Sequence, residues 1–336
     1  MRILWLGSLI ALLGLGCNIA LAQEDSAPIR VLEPVVVTGV RAGPGLWQVR
    51  KGEHVLWILG FVAPVPNKMQ WYAPQTEAVL RKTQEIIWPP GVSATLGFGG
   101  AFQAALALPA ILRARKNPDG KTLKQVLPAD LYQRWSGLKA VYLKGDDDIE
   151  TWRPIFAAEV LYGAAIKRAG LTYDTGVGKR IDKLGAKYDI KRTSTMGKTR
   201  VKNPRALAKS FARAELDDVA CFRSVLDRLE QDVTQAALKA NAWAVGDLES
   251  LKRLQGTSKQ PCFDTLAKTE AGQSMGIDAA VAASEQGWLA AADAALAKND
   301  TSFAALPMGE LLEPDGLLAR LRSKGYVISE PRSAAP

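Results

Sequence analysis

The chain has 336 residues, 48% hydrophobic and 23% charged, with a formal net charge of +9. That balance excludes an intrinsically disordered chain, and about 290 residues beyond an N-terminal leader suffice for one large core or two packed halves. The single histidine, His54, excludes most familiar hydrolytic machinery. A Ser-His-Asp triad, a Cys-His pair or a His-rich zinc site would have to pass through it.

Residues 1–22 read as a secretory signal peptide. Arg2 supplies the positive n-region, Ile3 to Leu15 is an apolar run too short to span a bilayer, and Ala20-Leu21-Ala22 matches a small-x-small cleavage site. Gln23 is the expected mature N-terminus, and periplasm or secretion the expected location. Cys17 reads as an h-region cysteine removed with the peptide, because Gly14 stands where a lipobox wants a branched apolar residue. Residues 23–43 read as a flexible leader. Leu32 to Gly39 within it is either a peripheral strand or a run that resembles the opening of the plug in TonB-dependent receptors. No later segment reaches about 18 consecutive apolar residues, so the mature protein is not expected to span a membrane. Cys221 and Cys262 remain after export. An even pair in an oxidising compartment is expected to form a disulfide; two separate buried thiols are the alternative.

Leu46–Val49 and Val55–Leu59 flank Lys51-Gly52 as a hairpin, with His54 as an exposed residue of its turn. The second strand is almost wholly apolar, which suits a central position, and Gly60 closes it. Thr76 to Ile87 reads as a helix leading into a short strand. The glycine-rich run Leu96 to Phe102 lacks the spacing of a dinucleotide fingerprint. Helices follow over Ala101–Arg115, about 130–138 and Pro154–Arg168, with the acidic run Asp146-Asp147-Asp148 among them. Ser136-Gly137-Leu138-Lys139 fits a Ser-x-x-Lys pattern, but the elements that accompany it in β-lactamase-like enzymes are missing. Leu216 to Leu254 keeps 3.6-residue apolar spacing and reads as a long helix or a pair broken at Gly246-Asp247. Phe263 opens a further helix. Ser302–Leu306 is a strand, Pro314-Asp315-Gly316 a turn, Leu317–Lys324 a helix and Tyr326–Ile328 a last strand. Strands at both ends with helices between them predict a mixed α/β (α+β) fold. Its central mixed sheet would come from the N- and C-terminal strands, with a large helical insertion. Residues 44–330 read as one domain and 331–336 as a tail.

The positive charge is local. Residues 191–213 hold Lys191, Arg192, Lys198, Arg200, Lys202, Arg205, Lys209 and Arg213 with no acidic residue. The stretch is either a solvated connector or a surface for an anionic partner such as phosphorylated lipid or polysaccharide, with Lys198, Arg200, Lys202 and Arg205 as candidate contacts. Nucleic acid is not expected, because aromatic residues do not recur among the charges as a stacking surface requires, Phe211 being the one aromatic residue of the stretch.

Four short pieces occur in register along residues 44–330: Gly45-Leu46-Trp47-Gln48-Val49, Leu56-Trp57-Ile58-Leu59-Gly60, Ala242-Trp243-Ala244-Val245-Gly246-Asp247-Leu248, and Pro314-Asp315-Gly316-Leu317-Leu318 with Gly325-Tyr326-Val327. On these the chain resembles the TraB/GumN family of exported bacterial proteins, grouped with the Tiki proteases in the EreA/ChaN-like superfamily. The resemblance implies an EreA/ChaN-like sheet. It also implies that catalytic members carry two Gly-x-x-His signatures whose histidines, helped by a carboxylate, hold a divalent metal that activates water.

This chain departs at each place. Gly60-Phe61-Val62-Ala63 puts Ala63 at the first histidine position. Pro307-Met308-Gly309-Glu310 puts Glu310 at the second, and Trp88 falls where the supporting carboxylate belongs. Ala63 cannot ligate, and Glu310 alone does not make a transition-metal site. The expected protein is a degenerate metallohydrolase scaffold that acts by binding or interaction in the cell envelope. Its partner would be an envelope protein, a peptide, or a lipid or polysaccharide, and no metal or other cofactor is expected. Trp57, Phe61, Trp88 and Met308 are candidate walls of an apolar pocket. The alternative is an active metal-dependent hydrolase or peptidase with a rearranged site around Glu310. His54 or the Asp146–Asp148 cluster would assist, and a hard divalent cation belongs to that alternative only.

Overall fold

The computed structural model describes residues 45–331, except 70–72, 97–99, 146, 215, 217, 255–261, 263–264 and 266. The signal peptide, the leader with its Leu32–Gly39 run, the tail from residue 332, Asp146 and the helix start at Phe263 lie outside the described residues.

Six strands form the main sheet, in the order β10-β1-β2-β9-β4-β7. β1 (Leu46–Lys51) and β2 (His54–Phe61) make the expected hairpin, with Trp47 opposite Ile58 and Val49 opposite Leu56. β2 runs parallel to β9 (Thr301–Pro307), which runs parallel to β4 (Glu85–Ile87), and that to β7 (Lys191–Thr193). β10 (Val327–Ser329) pairs antiparallel with β1, so both ends of the domain meet in one sheet. β2 and β9 are central, which explains their near-continuous apolar character: both faces are covered. Two small two-stranded sheets accompany the main one. β3 (Val65–Pro66) pairs with β6 (Leu171–Thr172), and β5 (Val92–Leu96) with β8 (Gly197–Val201).

The helices in chain order are α1 (Pro74–Leu80), α2 (Gly100–Ala114), α3 (Leu123–Val126), α4 (Ala129–Tyr142), α5 (Pro154–Arg168), α6 (Val177–Lys187) and α7 (Pro204–Arg213). Then come α8 (Asp218–Val245), α9 (Leu248–Leu254), α10 (Glu270–Met275), α11 (Ile277–Lys298), α12 (Met308–Leu312) and α13 (Leu317–Ser323). α5 begins where Pro154 fits, at a first-turn position whose N–H has no helical partner. The break between α8 and α9 falls at Gly246, whose φ of +74° ends the first helix.

Two buried clusters result. One surrounds the sheet and includes Trp47, Ile58, Phe303, Trp243 and Trp288; the other lies among α3, α4, α5 and the first part of α8. α8 is 28 residues long, about 42 Å at 1.5 Å per residue, and it reaches both: Phe222 and Leu229 belong to the helical cluster, Ala240 and Trp243 to the sheet cluster. Cys221 is linked to Cys262 as a disulfide with Cα atoms 4.9 Å apart, which ties the start of α8 to the segment that follows α9. Among the described residues no helix is long and apolar enough to cross a membrane.

Several expectations change. The basic stretch is not a connector: residues 191–213 fold into β7, β8 and α7. α4 continues through Tyr142 and absorbs Lys139 to Tyr142. β2 passes Gly60 and ends at Phe61. α6 and α11 are additional. Val177, Ile181 and Leu184, all buried, carried the helical spacing of α6, whereas α11 is so alanine-rich that its apolar residues mark no single stripe.

Candidate functional site

The four parallel strands share a direction, so their carboxyl ends face one edge of the sheet. In parallel α/β sheets ligands bind outside that edge. Phe61 pairs with Pro307 at the ends of β2 and β9. Trp88 follows β4 directly, and its N–H donates to the Thr193 carbonyl at 3.0 Å. Gly60, Ala63, Trp88, Met308 and Glu310 therefore all belong to the carboxyl edge, although they come from three separate parts of the chain.

The floor of this edge is packed tightly. Gly60 is buried, and a Cβ there would lie 2.8 Å from Met308 Cε, 2.8 Å from Leu311 Cδ1 and 2.9 Å from Trp47 Cζ3. Its carbonyl accepts a 2.6 Å hydrogen bond from the Trp243 indole Nε1. Met308 is buried in the sheet cluster rather than lining an open space. Trp57, Phe61 and Trp88 are half-buried against the same cluster. Side chains alternate along a strand, so Trp57 and Phe61 lie on the opposite face of β2 from Gly60. Ala63 is exposed.

Glu310 sits in the short helix α12, directly after β9. Burial is the main influence holding its carboxyl above the ordinary value; nearby Glu285 and Glu313 act in the same direction. The Pro314-Asp315-Gly316 turn folds back on this residue: a Cβ at Gly316 would stand 2.7 Å from the Glu310 carbonyl oxygen, so only glycine fits without a shift. Glu285 in turn pairs with Arg320 at 2.8 Å. Neither Glu285 nor Glu313 was singled out in the sequence, since α11 brings Glu285 to Glu310 only through tertiary packing.

The other candidates lie elsewhere. His54 is not an exposed turn residue. It opens β2, is half-buried, and its Nδ1 lies 2.7 Å from the Asn299 carbonyl. At about 3.3 Å per residue it stands about 23 Å from Phe61 along the strand, at the opposite edge of the sheet. That amino edge has its own polar cluster. Buried Glu85 accepts from Lys191 Nζ at 2.8 Å, from Asn299 Nδ2 at 3.1 Å and from the Thr193 hydroxyl. Burial pushes the Glu85 carboxyl up, but those bonds outweigh it and hold it below its ordinary value.

Asp147 pairs with Lys139 at 2.9 Å, and Asp148 with Lys116 at 3.0 Å and with the Trp152 indole at 3.1 Å. Those contacts belong to the helical layer. Ser136 donates to the Tyr132 carbonyl one turn back, and Lys139 also pairs with Glu150 at 3.0 Å, so each half of the Ser-x-x-Lys pattern is occupied structurally.

The donor set at the carboxyl edge does not fit a transition-metal centre. Among the described residues no group of three or more His, Cys, Asp or Glu is placed to hold a metal ion. Among the described residues Glu310 is accompanied by the carboxylates of Glu285 and Glu313 but by no imidazole or thiolate.

The fold defines a class: a mixed α/β protein with a parallel-stranded sheet centre, whose candidate residues gather at the carboxyl edge. The chain belongs to the TraB/PrgY/gumN family, whose sequence model matches residues 45–330. No curated protein and no solved structure matches it.

Proposed function

We infer that this is an exported TraB/PrgY/gumN-family protein that keeps the family scaffold and works by binding in the cell envelope, without metal catalysis. One observation carries the reading. The chain's single histidine stands at the amino end of β2, while Ala63 and Glu310 occupy the carboxyl-edge positions where the resemblance places metal-binding histidines. The close packing of Gly60 against Trp47, Met308 and Leu311 supports it, because the space beneath the edge is filled by apolar atoms. Half-buried Phe61, Trp57 and Trp88 suit contact with an apolar or amphipathic ligand, a peptide or a lipid fragment, at or beside that edge. Export rests on the signal-peptide pattern of residues 1–22, with the mature chain beginning at Gln23 in the periplasm or outside the cell.

The test is metal analysis of protein purified without a histidine tag from an exporting host, with N-terminal sequencing of the same sample. The expected result is an N-terminus at Gln23 and manganese, cobalt and zinc far below stoichiometry. About one tightly held equivalent of any of them would overturn the binding reading in favour of a rearranged hydrolase site at Glu310.

A further inference from the structure

We propose that α2 and α7 form a docking surface for an anionic lipid bilayer, with the apolar face of α2 entering the lipid and the cations of α7 contacting the headgroups. This inference is independent of the carboxyl edge and of the binding reading above.

Three observations carry it. First, α2 exposes large apolar side chains in a way that a water-facing helix does not. Phe102 is 70% exposed and Leu106 57%, and Leu108, Ile111 and Leu112 are exposed as well. Large apolar side chains exposed together on one short helix mark a contact surface. Second, α7 packs along α2, and a groove of about 480 Å³ opens between them. Leu106, Pro109 and Ala110 line one side, and Arg113, Arg205, Lys209 and Arg213 supply its charge with no carboxylate among its lining residues. Third, that charge is uncompensated. Lys191 and Arg192 of the same basic stretch pair with Glu85 and Asp182, but among the described residues Arg205, Lys209 and Arg213 have no acidic partner. Arg113 likewise has none among the described residues.

An apolar helix rimmed by cations is the arrangement of a helix that lies in a membrane interface. The charge selects an anionic surface over a second apolar protein face. At 15 residues α2 is about 22 Å long, too short to cross the roughly 30 Å hydrocarbon core, so it would lie along the surface. The basic residues alone lacked an apolar anchor in the sequence. The fold provides one from a helix far earlier in the chain.

The test uses the full chain carrying Cys17→Ser and Leu106→Cys, with an environment-sensitive fluorophore at position 106. Cys221 and Cys262 are paired, so that position holds the reactive thiol. Phosphatidylglycerol vesicles at low salt are expected to shift the label's emission to the blue, with apparent affinity at least tenfold tighter than for phosphatidylcholine vesicles. The response is expected to weaken as salt rises from 0.01 M to 0.15 M and the Debye length falls from about 30 Å to about 8 Å. Arg205→Gln, Lys209→Gln and Arg213→Gln together are expected to weaken it at least tenfold while the far-ultraviolet circular dichroism is unchanged. Equal response to both vesicle types, no response to either, or a triple variant that binds like its parent would each overturn the proposal. A lipid-independent shift that grows with protein concentration and accompanies a doubled mass in light scattering would also overturn it, assigning the face to a second copy of the chain.

Discussion

The Trp243 indole donates its N–H to the Gly60 carbonyl at 2.6 Å, fastening the end of α8 to the carboxyl edge of β2. Both groups are buried, so the bond lies where a lost partner is costly. Trp243→Phe keeps most of the apolar volume and removes the donor, and is expected to lower stability by about 1–2 kcal/mol. Gly60→Ala is expected to cost about 1–3 kcal/mol through crowding against Met308, Leu311 and Trp47. Urea unfolding of the two variants checks both figures. A Gly60→Ala protein as stable as its parent would mean the edge is open rather than filled.

The two edges of the sheet should respond to pH with opposite signs. Burial, Glu285 and Glu313 raise the Glu310 carboxyl, so the folded state holds that proton more tightly than the unfolded chain. Its contribution is present below the unfolded value of about 4.3 and lost as pH rises through the raised value. Glu310→Gln is therefore expected to gain stability relative to the parent at pH 7 more than at pH 4. Glu85 is held low, so its contribution is present above the unfolded value and lost as pH falls through the lowered one. Glu85→Gln should accordingly destabilise at pH 7 and matter less in acid. Denaturant midpoints at the two pH values decide each case; a pH-independent effect would rule out ionisation as the cause.

Reducing the Cys221–Cys262 bond releases a loop with a sequence separation of 41 residues. Chain entropy alone predicts a loss of about 4 kcal/mol, and measured cases of this kind run to about 2–4 kcal/mol. The double variant Cys221→Ala, Cys262→Ala should melt at lower temperature than the oxidised parent and should be insensitive to reductant. Calorimetry of both proteins with and without dithiothreitol provides the comparison.

Arg153 is 4% exposed and makes three bonds at one corner: to Asp218 Oδ2 at 3.2 Å, to the Phe211 carbonyl at 3.0 Å and to the Ala214 carbonyl at 2.7 Å. It thereby joins the start of α5 to the end of α7 and the first residue of α8. Arg153→Met keeps the length of the stem but none of the donors, and is expected to cost about 3–5 kcal/mol. If α7 docks on this corner, the same variant should also expose α7 to limited proteolysis before α8.

Much of this fold was legible locally. The β1–β2 hairpin, the helix that starts at Pro154 and the long helix broken at Gly246 follow from apolar spacing and from residues that start or stop helices. The short strand that follows α1 was legible too, but β7 is three residues long, too short for a period of two to register, and it exists because pairing with β4 satisfies its backbone. Which residues share an edge depends on parallel pairing between distant segments, and residue spacing carries no record of that. Packing of α11 against the sheet brought Glu285 beside Glu310, the length of β2 keeps His54 at the far edge, and packing of α7 on α2 set Leu106 against Arg205 and Arg213. The sequence by itself determined the local elements and the donor chemistry available. Only the tertiary structure decided which of those groups meet, because long-range packing, and not local periodicity, sets their distances.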